Sequence, residues 1–288
     1  MTVTTARIVL SIDEVSYIPP AEISVEKRGV IWNTPWVDDT SPPTDPPAAS
    51  HGQRPCTLLS MRHRVVFLLD VDNTLLDNDR VTAELRSYLT RELGEDCQER
   101  YWAIFESLRS ELGYADYLGA LQRYRVENLH DPEILRLSSF LVNYPFVERL
   151  FPGALDVVEH LARWGPTVIL TDGDVVFQPR KVERSGLFDA VEGRVLIYIH
   201  KERELDAVEA RWPSEHYVLV DDKVRILTAV KEVWGERLTT VFPRQGHYAH
   251  DPDVATYPTP DLTIERISDL LDLDLPALLR AAQKEGKP

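Results

Sequence analysis

Short apolar runs alternate with amphipathic stretches along most of the chain after residue 64. The first run, VVFLL at 65–69, is wholly apolar and partly β-branched, which is typical of a strand buried on both faces. The predicted strands are 65–69, 167–170, 195–199, 217–220, 238–242 and, more weakly, 262–264. After residue 150 each strand is followed by a helical stretch or a turn. This alternation predicts an α/β protein with a doubly wound parallel sheet, a Rossmann-like core.

The region 80–149 differs because it contains helical periodicity and no convincing strand. Apolar residues share a helix face in three stretches, and Asp131-Pro132-Glu133 has the residue types that begin a fourth helix. The block follows the first strand directly. We therefore predict an all-helical cap, 80–149, inserted into a core formed by 61–79 and 150–288.

The first sixty residues have a different composition and contain 8 of the 20 prolines. Proline runs cannot continue a helix or a central strand, so we predict that 1–60 is a mostly disordered extension. Met61 is the only methionine besides Met1 and stands just before the first clear strand. One hypothesis is that translation starts at Met61 and that 1–60 is a gene-model artefact.

Charge and cysteine content narrow the class of protein further. The chain has 288 residues with 32 Lys and Arg against 47 Asp and Glu, a net charge of −15. This charge disfavours partners such as nucleic acid or an anionic membrane, but not a small anion bound at a local positive site. No apolar run is long enough to span a bilayer, and no secretory signal is recognisable. The two cysteines suit a reducing compartment, so we predict a cytoplasmic protein.

The polar residues that follow the predicted strands are the candidate site. In an open parallel sheet, ligands bind beyond the carboxyl ends of the strands. The segments found there are Asp70-Val71-Asp72-Asn73-Thr74, Thr171-Asp172-Gly173-Asp174, His200-Lys201 and Asp221-Asp222. So many carboxylates at one edge require a cation, and a hard divalent ion such as Mg²⁺ suits oxygen ligands.

Together these motifs resemble the haloacid dehalogenase superfamily. The resemblance covers residues 65 to about 271, and its most specific part is Asp-x-Asp-Asn-Thr-Leu at 70–75. The family fold is a parallel sheet with a mobile cap inserted after the first motif. The helical insertion is similar to the cap type found in phosphoglycolate phosphatases, β-phosphoglucomutases and some nucleotidases.

The resemblance implies a role for each catalytic candidate. Asp70 corresponds to the nucleophile that forms an aspartyl-phosphate, and Asp72 to the general acid and then base. Thr171 corresponds to the residue that holds the phosphoryl oxygens with nearby backbone N–H groups. Lys201 corresponds to the lysine that neutralises charge between phosphate and nucleophile. Lys181 is the alternative for that lysine, and spacing from the Asp221-Asp222 pair favours Lys201.

The resemblance also implies a metal site. Asp222 would bind Mg²⁺ directly, Asp221 directly or through water, and Asp70 with the backbone carbonyl of Asp72 would complete the protein ligands.

The substrate-binding candidates depart in part from the family pattern. The second motif often reads Ser/Thr-Asn-Gly, whereas here Asp172 stands before Gly173 and adds a carboxylate near the phosphate site. Arg244 and His247 follow the strand 238–242. They either contact the substrate or belong to an ordinary surface loop, and both interpretations stay open.

The function implied is a Mg²⁺-dependent phosphatase for a small phosphorylated metabolite of the sugar phosphate, phosphoglycolate or nucleotide class. Two alternatives remain: a phosphomutase of the same fold, and a non-catalytic protein that binds a phosphorylated ligand. A dehalogenase is disfavoured because those family members lack the carboxylate that Asp72 supplies. The sequence leaves the oligomeric state open.

Overall fold

A sheet of six parallel strands, in the order β3-β2-β1-β4-β5-β6, forms the centre of the computed structural model. The model describes residues 63–130, 132 and 134–281. The strands are β1 (His63–Leu69), β2 (Thr167–Asp172), β3 (Val195–Tyr198), β4 (Ser214–Val220), β5 (Leu238–Pro243) and β6 (Leu262–Ile264). The predicted fold class is confirmed, including the weak sixth strand. The predicted disordered extension and the Met61 hypothesis fall outside the described residues.

The central strand β1 is buried on both faces, as its uninterrupted apolar sequence predicts. Phe67 and Leu69 pack into one hydrophobic cluster, whereas Val66 and Leu68 pack into a second cluster on the opposite face. Alternate side chains point to opposite faces of a strand, so each face needs its own layer of helices. The position of β1 between β2 and β4 places its carboxyl end in the middle of the sheet edge.

In the described part of the chain, ten α-helices surround the sheet or lie in the segment between β1 and β2. They are α1 (Asn78–Leu93), α2 (Glu95–Leu112), α3 (Tyr117–Glu127), α4 (Ile134–Asn143), α5 (Ala154–Ala162), α6 (Phe177–Arg184), α7 (Leu187–Ala190), α8 (Leu205–Arg211), α9 (Val224–Trp234) and α10 (Leu275–Ala281). No described helix is both long enough and apolar enough to cross a membrane.

Helices α1 to α4 form a helical insertion between β1 and β2, and no strand longer than an isolated bridge occurs in its described part. The insertion has an aromatic interior in which Trp102 meets Phe105 edge-on at 4.8 Å between ring centroids. Helix α4 begins at Ile134. Asp131 and Glu133 lie outside the described residues, so the prediction that Asp131-Pro132-Glu133 begins this helix is untested.

Two neighbouring segments connect the helical insertion to the sheet. Leu76 and Leu150 form an antiparallel bridge, and the N–H of Asp77 donates to the carbonyl of Arg149 at 2.7 Å. Beside them, Glu84 of α1 accepts from Arg149 at 2.9 Å and from the Tyr144 hydroxyl at 2.6 Å. The chain therefore enters and leaves the insertion at one narrow neck.

Candidate active site

The turn after β1 places the first carboxylate of the site. Asp70 is 3% exposed, and its backbone N–H donates to the carbonyl of Val220 in β4. The Thr74 hydroxyl lies 3.4 Å from Asp70 Oδ2 and accepts from the backbone N–H of Asp222 at 3.0 Å. Asn73 adopts a positive φ of 59°, a conformation that Asn tolerates better than most residues. The sequence Asp-Val-Asp-Asn-Thr thus folds into a tight turn that joins β1 to the end of β4.

Three aspartates meet at this edge. Asp70, Asp221 and Asp222 are all buried, and one oxygen of each lies within 4.8 Å of the others. Both oxygens of Asp222 are buried without a hydrogen-bond partner among the described residues. Burial raises the pKa of Asp221 and raises that of Asp222 well above its usual range. Such unsatisfied buried oxygens are costly unless a cation binds them, and they fit a hard divalent metal ion.

Lys201 lies between two of these carboxylates. It is 1% exposed, and its Nζ lies 2.5 Å from Asp70 Oδ1 and 2.6 Å from Asp221 Oδ2. Burial acts against the charged ammonium, but the charges of Asp221 and Asp70 outweigh it and raise the pKa of Lys201. These three carboxylates and the Lys201 ammonium sum to a formal charge of −2, and the charge of Lys223 also acts on Asp222. A divalent cation would offset the negative charge of this cluster.

The charge of the aspartate cluster yields a prediction for Asp222→Asn. The substitution removes one unpaired buried charge, so the metal-free protein should melt at the same temperature as the wild type or higher. Saturating Mg²⁺ should raise the melting temperature of the wild type by about 5–10 °C and leave Asp222→Asn unchanged. Thermal melts with Mg²⁺ or EDTA measure both effects.

The control for this prediction is Asp206→Asn, at an exposed position of α8, which should respond to Mg²⁺ like the wild type. An equal Mg²⁺ shift in Asp222→Asn would exclude Asp222 as a ligand.

The second carboxylate of the first motif points to a different lysine. Asp72 Oδ1 accepts from Lys181 Nζ at 2.6 Å, and the same ammonium donates to Asn78 Oδ1 at 3.0 Å. Lys181 is 0% exposed, whereas the Asp72 side chain is 24% exposed and lines a cleft. The structure therefore places the two candidate lysines on two different carboxylates, Lys201 on Asp70 and Lys181 on Asp72.

The loop after β2 is arranged differently from the predicted phosphate-binding motif. The Thr171 hydroxyl is buried and accepts from the Gln178 amide at 3.0 Å, which leaves its own proton available. The N–H of Gly173 donates to the carbonyl of Tyr198 at 2.9 Å, so this N–H is already used within the fold. A Cβ at Gly173 would lie 2.5 Å from Cβ of Gln178, so close packing of α6 requires glycine there.

Asp172, the departure from the family pattern, has a structural partner. Its Oδ1 accepts from the backbone N–H of Lys201 at 2.7 Å. Burial raises its pKa to about 6, and the charge of Lys201 opposes this rise. The carboxyl group therefore fixes the backbone that carries Lys201 and also lines the cleft.

The loop after β5 contributes one of its two predicted residues to the cleft. The Arg244 side chain lies 3.3 Å from Glu265 on the exposed surface, so the structure does not bring it to the cleft. His247 does line the cleft, and its Nδ1 lies 2.6 Å from Asp79 Oδ1 in the first turn of α1. The buried Gln245 amide donates to the Thr74 carbonyl at 3.0 Å and thereby joins this loop to the turn after β1.

The cleft itself lies between the helical insertion and the carboxyl edge of the sheet, with a volume of about 630 Å³. Its lining includes Asp72, Trp102, Arg109, Tyr117, Lys223 and Tyr248. The sequence analysis missed Arg109, Lys223 and Tyr248 as site residues. Lys223 had a signal, because it directly follows the Asp-Asp pair at a strand end, and so did Tyr248, which directly follows the candidate His247.

Comparison with known proteins agrees with this geometry. The family model of haloacid dehalogenase-like hydrolases matches residues 65–210, and the chain belongs to this family of hydrolases. A haloacid dehalogenase-like hydrolase from Burkholderia xenovorans LB400 is 63% identical, with a TM-score of 0.71, and the match covers 74% of this chain and 99% of that chain. The predicted family is confirmed.

Two more distant solved structures share the fold alone. A haloacid dehalogenase-like hydrolase from Xanthomonas campestris is 17% identical, with a TM-score of 0.51 and coverage of 78% of this chain and 96% of that chain. The L-2-haloacid dehalogenase PA0810 is also 17% identical, with a TM-score of 0.52 and coverage of 72% and 97%. No match was found among curated protein sequences.

Proposed function

We propose that this hydrolase is a Mg²⁺-dependent, cytoplasmic phosphatase that acts on a small phosphorylated metabolite through an aspartyl-phosphate at Asp70. The observation that carries the proposal is the carboxylate of Asp72, which Lys181 and Asn78 hold at the cleft two residues after Asp70. Cleavage of a phosphate ester needs a proton for the departing alkoxide, whereas a departing halide needs none. Asp72 is therefore the group that favours phosphate esters over haloacids.

The reaction has two balanced steps. In the first, an Asp70 oxygen attacks phosphorus, the ester P–O bond breaks, and protonated Asp72 gives its proton to the leaving oxygen. In the second, water attacks the phosphorus of the aspartyl-phosphate, Asp72 takes a proton from that water, and Asp70 is released with inorganic phosphate.

The remaining residues support these steps. When bound by Asp70, Asp221, Asp222 and the carbonyl of Asp72, Mg²⁺ would offset the negative charge of the phosphoryl group. Lys201 adds a buried positive charge beside Asp70, and the free proton of the Thr171 hydroxyl can donate to a phosphoryl oxygen. The helical insertion, 80–149 in the predicted division, acts as a cap that closes over the cleft.

The experiment that tests the proposal measures phosphate release from sugar phosphates, nucleotides, phosphoglycolate and p-nitrophenyl phosphate. The panel is run with Mg²⁺ and with EDTA, and chloride release from 2-chloropropionate is measured beside it. Phosphate release that requires Mg²⁺, without chloride release, supports the phosphatase. Chloride release without phosphate release would overturn it. A transfer of phosphate between positions of a sugar, with little inorganic phosphate, would favour the phosphomutase, and binding without turnover would favour the non-catalytic protein.

Replacement of Asp72 by Asn separates the two steps. The p-nitrophenolate leaving group needs little protonation, so Asp72→Asn should retain the first turnover of p-nitrophenyl phosphate. Hydrolysis of the aspartyl-phosphate should become about 10²–10⁴-fold slower because the base is lost. Rapid-mixing measurements should therefore show a burst of about one nitrophenolate per protein, followed by slow release. A uniform loss of both phases, with unchanged folding, would contradict the assignment of Asp72.

A further inference from the structure

Two cations from different parts of the fold converge on Tyr248 inside the cleft. Arg109 of α2 donates through Nη2 to the Tyr248 hydroxyl. Lys223, which follows Asp222, places its Nζ 5.0 Å from the centroid of the Tyr248 ring. His247 directly precedes Tyr248 in the same loop, and the centroids of the two rings are 3.9 Å apart. The insertion and the sheet edge thus each contribute one positive charge to the same tyrosine.

The positive charge of these two residues is only partly compensated. Within the part of the chain that the structure describes, Lys223 Nζ forms no ion pair, although burial is outweighed by the negative charges of Asp222 and Asp70, which act on it and raise its pKa. Arg109 lies 3.6 Å from Glu106, but these side chains are 39% and 55% exposed, so solvent weakens the pair. Tyr248 offers only a neutral hydroxyl. An anion that enters the cleft would meet two cations, neither of which is held in a buried ion pair.

The carboxylates nearest to the reacting groups are otherwise engaged. Asp72 pairs with Lys181, and Asp79 pairs with His247. Asp172 accepts from the backbone of Lys201. The two remaining aspartates of the lining, Asp251 and Asp253, lie on an exposed 3₁₀ segment. The lining aspartates Asp72, Asp79 and Asp172 are therefore each held by a partner, whereas the two cations Arg109 and Lys223 meet at Tyr248.

We propose that Arg109, Lys223 and Tyr248 form a second anion subsite, so that the preferred substrate is a phosphate monoester whose leaving group carries its own anionic group. This inference rests on the proposed phosphatase function and specifies its substrate class. The guanidinium of Arg109 can bind a carboxylate or phosphate through two parallel hydrogen bonds. The anion would replace the Tyr248 hydroxyl as the acceptor for Arg109, and that hydroxyl would then donate to the anion.

The test compares esters of similar size that differ in the charge of the leaving group. Phosphoglycolate carries a carboxylate, 1,3-propanediol bisphosphate carries a second phosphate, and ethyl phosphate is neutral at that position. We expect the wild type to prefer one of the anionic esters over ethyl phosphate in kcat/KM. Arg109→Met should lower that ratio about 10–100-fold, the loss of a charged hydrogen bond. The anionic ester with the higher kcat/KM shows whether the subsite binds a carboxylate or a phosphate.

Arg109→Met carries the test because Arg109 lies on the helical insertion, whereas Lys223 adjoins a candidate metal ligand. Arg123→Met is the matched control. This arginine also lies on the insertion, is 44% exposed and pairs with Glu111, so the ratio should not change. An equal ratio in Arg109→Met and the wild type, or a wild-type preference for ethyl phosphate, would overturn the subsite.

A binding measurement keeps the two proposals apart. Phosphonoacetate and ethylphosphonate cannot be hydrolysed and differ in the same carboxylate, and calorimetry measures their affinities. If no ester is turned over, tighter binding of phosphonoacetate that disappears in Arg109→Met would support the subsite while the phosphatase proposal fails. Equal affinities of the two phosphonates in the wild type, with no preference for the bisphosphate over ethyl phosphate, would overturn the subsite itself.

Discussion

Asp70→Asn should abolish steady-state phosphate release, with a fall in kcat of about 10⁴-fold or more. An amide is a far weaker nucleophile than a carboxylate, and the substitution also removes one of the three clustered carboxylates. Phosphate release from the best ester of the panel, at saturating Mg²⁺, measures the loss. No leaving-group product should appear in the first turnover either, which distinguishes this variant from Asp72→Asn.

The control for Asp70→Asn is folding. The exchange is nearly isosteric and removes a buried negative charge, so the variant should melt no lower than the wild type in EDTA. Acid-stable labelling offers an independent check, because wild-type protein quenched during turnover should carry a covalent phosphate that Asp70→Asn lacks. Activity of the variant within tenfold of the wild type would remove Asp70 as the nucleophile.

Lys201→Met should cost about 3–5 kcal/mol of unfolding free energy in the absence of metal. The ammonium is the only cation in direct contact with Asp70 and Asp221 among the described residues, and all three side chains are buried. Its removal leaves both charges without an ion-pair partner in a medium that solvates them poorly. Urea unfolding in EDTA measures the change.

The control for this second prediction is a surface ion pair. Arg100 and Glu127 interact at 2.5 Å, but their side chains are 53% and 41% exposed. Arg100→Met should therefore change the unfolding free energy far less than Lys201→Met does, because solvent screens the exposed pair. A loss in Lys201→Met that is no larger than in Arg100→Met would show that the buried carboxylates find other compensation.

The sheet and its functional edge were predictable from local sequence. An uninterrupted apolar run such as 65–69 specifies a doubly buried strand, and parallel strands bring the residues after them to one edge. Hence Asp70, Lys201 and the Asp221-Asp222 pair could be expected together from three separate motifs. The helical insertion was also predictable, because helical spacing persists through a long segment that contains no strand pattern.

The contacts between residues far apart in the sequence were not predictable. Lys181 and Asp72 are 109 residues apart, and Arg109 and Tyr248 are 139 apart. Such pairs depend on where helices pack on the sheet, which no periodicity encodes. For the same reason, spacing alone did not show that Lys201 and Lys181 serve different carboxylates. Arg244 was a reasonable candidate by position after a strand, but its side chain turns to Glu265.

The narrow neck at Leu76 and Leu150 makes the helical insertion a module that can be exchanged. Bridged residues of antiparallel strands lie only about 5 Å apart, a gap that a two-residue turn spans. The insertion can therefore change in length without any change in the register of β1 and β2, provided that the contacts it makes with the core, such as Tyr117 against Phe177, are kept. The reacting carboxylates and their lysines lie outside the insertion, and Asn78, which accepts from Lys181, is a residue of the insertion that contacts them. The segment that encodes the insertion can thus evolve at a different rate from the segments that encode the catalytic residues. An insertion transferred from a relative would be joined to the core at Leu76 and Leu150.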